Sequence, residues 1–125
     1  MTRIVVDSSV LIDASRGHPD AVLFLDGVVD RAEIWSVTPV RTEVRWRMRT
    51  DEARGVDRMF ASIYWLDVSS EIADRAGVFG QQFGPSHGLG VVDAIIAAAT
   101  EFLSAELATL NVRDFPMFPD LRPPY

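Results

Sequence analysis

Four short runs rich in β-branched, aromatic and other apolar residues lie along the chain: RIVVD at 3–7, EIWSV at 33–37, YWLDVS at 64–69 and LATL at 107–110. Longer stretches with helical spacing separate them, and that alternation constrains the fold more than any other feature. Strands alternating with helices imply parallel pairing, with helices laid on both faces of the sheet. The expected class is therefore α/β, a three-layer α/β/α sandwich around a central parallel sheet.

The helical stretches begin with PDAVLFLDGVV at 19–29, where Pro19 takes a favoured first position. Thr38 and Pro39 mark the start of the next, which runs through VRTEVRWRMR. DEARGVDRMFASI, SSEIADRAGVFGQQF with serine at its cap, and VVDAIIAAATEFL follow. GPSHGLG at 84–90 reads as a glycine-rich loop. No repeat or linker interrupts the 125 residues, so one domain over 1–125 is expected. No apolar run approaches the ~20 residues of a membrane span, and there is no cysteine for a disulfide or thiolate metal site. A soluble, cytoplasmic protein is the expectation.

Why does a run that reads as a buried strand end on a carboxylate, Asp7? A buried Asp is costly unless paired, so it is either a cap for the next helix or a charge kept for use. In open parallel sheets ligands gather at the carboxyl ends of the strands, where Asp7 stands. The segment from Thr38 to Glu43 follows a second strand end, Asn111 to Asp114 follows another, and Asp93 lies in the first turn of the alanine-rich helix. Carboxylates brought together repel and raise one another's pKa, a penalty that a divalent cation removes.

Each of these residues also has a plainer reading. Glu43 could pair with Arg47 one turn on, Asp93 could answer the helix macrodipole, and Asp114 and Asn111 could be turn residues. The apolar neighbours of Asp93, VVDAIIAAA, argue against a purely decorative role.

A net charge of −6 argues against a broad phosphate-binding surface. All twelve basic residues are arginine, however, and Arg41, Arg45, Arg47 and Arg49 crowd into one segment. That cluster is either a solvated helix face or a contact surface. Trp46, in its midst, reads first as core or interface, with base stacking as the alternative. His18 and His87 fall outside the acidic motifs and read as surface residues. With no lysine, neither a Walker-type nucleotide site nor a receiver-type phospho-acceptor mechanism is available.

IVVDSSVLID, TPVRTEV, GVVDAIIAAA and LATLNVRDFPMFPDLRPPY, in that order, resemble the PIN-domain family, specifically its VapC-type ribonuclease toxins. The resemblance implies a Mg2+ or Mn2+ site and endonucleolytic hydrolysis of RNA, leaving 5′-phosphate and 3′-hydroxyl ends. It assigns Asp7, Glu43 and Asp93 to the first three acidic positions, with Asp7 and Asp93 as direct metal ligands and Glu43 and Asp114 as ligands or as acceptors that orient metal-bound water. The fourth position is left between Asn111 and Asp114, with Asp114 the nearby carboxylate. Ser9, Thr109 and Asn111 are implied as residues that position substrate or water. The resemblance also implies a cognate VapB-like antitoxin, seated on apolar residues such as Val22, Phe24, Leu25, Met59 or Phe60, and self-association as a homodimer. The alternative is a PIN-like binding module that has lost catalysis.

Overall fold

The computed structural model of the chain describes residues 2–125; Met1, which the expected domain 1–125 includes, lies outside the described residues. Its first strand, β1 (Thr2–Val6), buries Ile4, Val5 and Val6 consecutively, so both faces of the strand are covered. Consecutive β-branched residues suit such a two-sided position. β1 pairs in parallel with β2 (Ala32–Val37), Val5 opposite Trp35, and with β4 (Glu106–Ala108), Val5 opposite Leu107. β3 (Tyr64–Leu66) adds to β2 and completes the order β3-β2-β1-β4.

That order sorts the helices into layers. From β1 to β2 to β3 the chain steps in one direction through α1 (Ser8–Ser15), α2 (Pro19–Val29), α3 (Thr38–Arg47) and α4 (Ala53–Ala61). It then returns across the sheet to β4 through α5 (Ser70–His87) and α6 (Val91–Phe102). Parallel crossovers are right-handed, so reversing the direction puts α5 and α6 on the opposite face. The packing agrees: α6 lies on β1, β2 and β4 with α5 outside it, while α1 packs on α2, α3 and α4. The three-layer α/β/α expectation is met.

Ala94, Ala97, Ala98 and Ala99 of α6 are all buried between the sheet and α5. The helix runs antiparallel to the strands it connects, which carries its N-terminal turn, with Asp93, to the edge where β1, β2 and β4 end. After β4 the chain makes a 3-10 turn (Val112–Asp114), buries Phe115, and returns to the α1–α2 corner. There the Tyr125 hydroxyl donates to Asp13 Oδ2 at 2.9 Å, and its ring lies against His18 and Phe24.

Two local readings need correction. The expected loop GPSHGLG is mostly helix: α5 continues through Pro85 to His87 and stops at Gly88, whose φ of 65° is left-handed. Proline removes a single helical hydrogen bond, which an exposed last turn tolerates, whereas the left-handed cap suits glycine. Helix α1 lacks a readable period because Val10, Leu11 and Ile12 are buried in succession. No helix among the described residues is long and apolar enough to cross a membrane.

Candidate active site

Asp7 follows β1 directly and is 2% exposed. It caps α1 and takes its hydrogen bonds from neutral donors. Oδ1 accepts from the Ser8 amide at 2.7 Å and Oδ2 from the hydroxyls of Thr109 at 2.7 Å and Ser9 at 3.1 Å. Those hydroxyls are themselves held: Ser9 Oγ accepts from the Leu110 amide at 3.1 Å, and Thr109 Oγ1 from the Asn111 amide at 3.0 Å. The Asp7 amide donates to the Ala108 carbonyl, closing the junction between the ends of β1 and β4.

The cap and the kept charge are thus the same residue. Donors from Ser8, Ser9 and Thr109 replace the hydration this buried carboxylate gives up. Ser36, unread in the sequence, buttresses this junction, its buried hydroxyl donating to the Val6 carbonyl at 2.8 Å. A lone hydroxyl inside the apolar run EIWSV was the available signal.

The charges of Asp7, Glu43 and Asp114, on separate elements, all act on Asp93. Burial first, and then the charges of Asp7, Asp114 and Glu43, push the Asp93 pKa up to about 7. Its place in the first turn of α6 works the other way, since the positive end of the helix favours the ionised form. A helix terminus contributes typically 0.3–1 kcal/mol. A rise from 3.8 to about 7 corresponds to more than that, so burial and like charge win.

Glu43 is half-buried on α3 beside the buried Val44. Asp114 is exposed at the end of the 3-10 turn. The ion pairs among the described residues are Arg3–Glu33, Arg45–Asp57 and Arg75–Glu101, so none neutralises these four carboxylates. Glu43 does not pair with Arg47. Among the described residues no three His, Cys, Asp or Glu side chains are drawn into a closed coordination group. The four share a field without forming a tight cage.

The remaining expectations fall as follows. Asn111 is exposed next to Thr109, and its charge-free side chain adds nothing to the field on Asp93, which Asp114 reaches. Arg41 stacks over Phe60 and Trp65, and Arg45 over Phe60 while pairing with Asp57. Half of the arginine cluster therefore covers the protein's own aromatics. Trp46 is not core, being 85% exposed. It lines a shallow depression with Thr42, Glu43 and Arg47.

His18 and His87 are exposed. Of the apolar residues singled out for a partner, Val22, Leu25 and Met59 line a cavity of about 290 Å³ between α2 and α4. Phe60 is buried under the two arginines and Phe24 is covered by Tyr125, so neither is free.

Comparison with known proteins sets these features in context. The PIN domain family model matches residues 4–119. Ribonuclease VapC19 of Mycobacterium tuberculosis is 36% identical over 123 residues, covering 97% of this chain and 98% of that protein. Ribonuclease VapC10 of the same organism is 37% identical, covering 98% and 92%. A toxin–antitoxin complex from Klebsiella pneumoniae contains a chain that shares the fold with a TM-score of 0.81 at 24% identity, covering 98% of each.

Proposed function

Because the chain belongs to the PIN-domain family, we propose that it is a metal-dependent endoribonuclease toxin that hydrolyses RNA phosphodiesters at this pocket and is silenced by a VapB-like antitoxin. One observation carries the reading: burial, joined by three carboxylates from the end of β1, α3 and the turn after β4, raises the proton affinity of a fourth on α6. A fold that needed only packing would gain nothing from such repulsion. Two relatives that match nearly the whole chain are named ribonucleases.

The donor set is all oxygen and anionic, with no histidine or thiol, which fits Mg2+ or Mn2+. Asp7, Glu43, Asp93 and Asp114 are the residues that would hold such an ion. When bound, it would make an attacking water more acidic and take up charge developing on the phosphate oxygens. The chain's own residues supply the frame. Ser8, Ser9 and Thr109 fix both oxygens of Asp7. Ser9 and Thr109 act through Asp7, because each hydroxyl donates its hydrogen bond to that carboxylate. Asn111, exposed beside them, would meet substrate.

The antitoxin would seat apolar side chains on Val22, Leu25 and Met59 in the α2–α4 cavity. A net charge of −6 favours a basic partner. The reading takes the whole chain, 1–125, as one domain at work in the cytoplasm, and self-association as a homodimer belongs to it.

The test is cleavage of total RNA by the purified full chain. Cutting in Mg2+, loss on chelation, and loss in a folded Asp93→Asn variant are expected. Intact RNA under every metal condition would instead favour the binding module that keeps the fold without catalysis.

A further inference from the structure

Trp46 sits three residues after Glu43 on α3, and residues at that spacing share a helix face. Its indole is 85% exposed and borders the same depression as Glu43, Thr42 and Arg47. Arg47 enters none of the ion pairs among the described residues, unlike Arg45, and is not stacked on an aromatic ring, unlike Arg41. A large flat apolar surface and an uncommitted guanidinium therefore flank one of the carboxylates.

We infer that the Trp46 indole is a stacking platform for one base of the RNA strand passing the carboxylate pocket, with Arg47 taking an adjacent phosphate. The inference deepens the nuclease reading and rests on it. An acidic protein with an acidic pocket repels a polyanion, so much of its hold on RNA must come from contacts that do not depend on net charge. Base–aromatic stacking is such a contact, and it works on single strands, whose bases are free to splay. The surroundings argue against the rival occupant, a second copy of this chain. Interface cores are depleted of Glu and Asp, whereas Trp46 shares its depression with Glu43.

The experiment titrates the full chain with a short single-stranded RNA in chelator, read by tryptophan fluorescence, and then measures cleavage kinetics in Mg2+. Wild type should be quenched on binding. Trp46→Ala should lose that quench and bind about 5- to 150-fold more weakly, and Trp46→Phe should recover most of the affinity. Trp35 and Trp65, packed on Tyr64 and Phe60, remain as internal reporters of folding. In Mg2+ the Ala variant should raise KM by a similar factor while kcat changes less than about twofold.

Unchanged RNA affinity and KM in Trp46→Ala would overturn the platform and leave the nuclease reading standing. So would unchanged RNA affinity with a shift from dimer to monomer in sedimentation, which would make this face an interface between copies. Trp46-dependent quenching in a protein that cuts no RNA would uphold the platform and remove the nuclease.

Discussion

Replacing Asp93 with asparagine should stabilise the metal-free protein, an unusual result for a change at a proposed active site. The Asp93 pKa rises from 3.8 to about 7 because the carboxyl is partly buried and faces Asp7, Asp114 and Glu43. Below 3.8 the folded and unfolded chains both hold the proton. Between 3.8 and about 7 the unfolded chain releases it while the folded chain keeps it, so stability falls as pH rises through that window. Above that window the full penalty is in place.

A shift of about three units at 1.36 kcal/mol each would amount to roughly 4 kcal/mol. Because the group is partly open to solvent, screening reduces this to about 2 kcal/mol. An asparagine side chain cannot ionise, so Asp93→Asn should gain about 2 kcal/mol at pH 8, or roughly 6–10 °C in Tm for a chain of this size. The gain should shrink toward zero near pH 4. Thermal and urea unfolding in chelator at both pH values measure it, and adding Mg2+ should raise the Tm of wild type much more than that of the variant. Equal stability of the two proteins at pH 8 would refute the shared field on which the site rests.

Two further perturbations test the frame around the pocket. Thr109→Val keeps the shape but removes a buried donor to Asp7 and an acceptor for the Asn111 amide. It should cost about 2–3 kcal/mol in urea unfolding, and a neutral result would mean that Asp7 is not held as described. Tyr125→Phe keeps the ring against His18 and Phe24 and loses only the bond to Asp13. A loss of about 1 kcal/mol is expected near neutrality. Burial, then Asp13, pushes the phenol above its ordinary value of 10, so this contribution should persist at neutral pH and fade only as strongly alkaline pH ionises the ring. A variant equally stable at neutral and strongly alkaline pH relative to wild type would contradict that.

Local pattern made the strands and most helices legible. β-Branched runs gave β1 and β2 away, and the alanine-rich apolar repeat of α6 needed no tertiary information. The candidate carboxylates were also readable, since an acid at a strand end or within an apolar helix conflicts with its surroundings. Where packing is equally apolar on all sides the pattern falls silent, as in α1, and a proline near an exposed helix end misplaced the end of α5.

The sequence alone determined which residues carry charge, where strands and helices alternate, and hence that a parallel sheet would gather certain acids at one edge. Only the folded chain decided their company. Thr109 meets Asp7 across 102 positions because β1 and β4 pair, and Trp46 stays outside while Arg41 and Arg45 turn back onto Phe60. Periodicity describes one element at a time, whereas burial, hydrogen-bond partners and electrostatic fields arise from elements meeting, and those set the chemistry of a carboxylate.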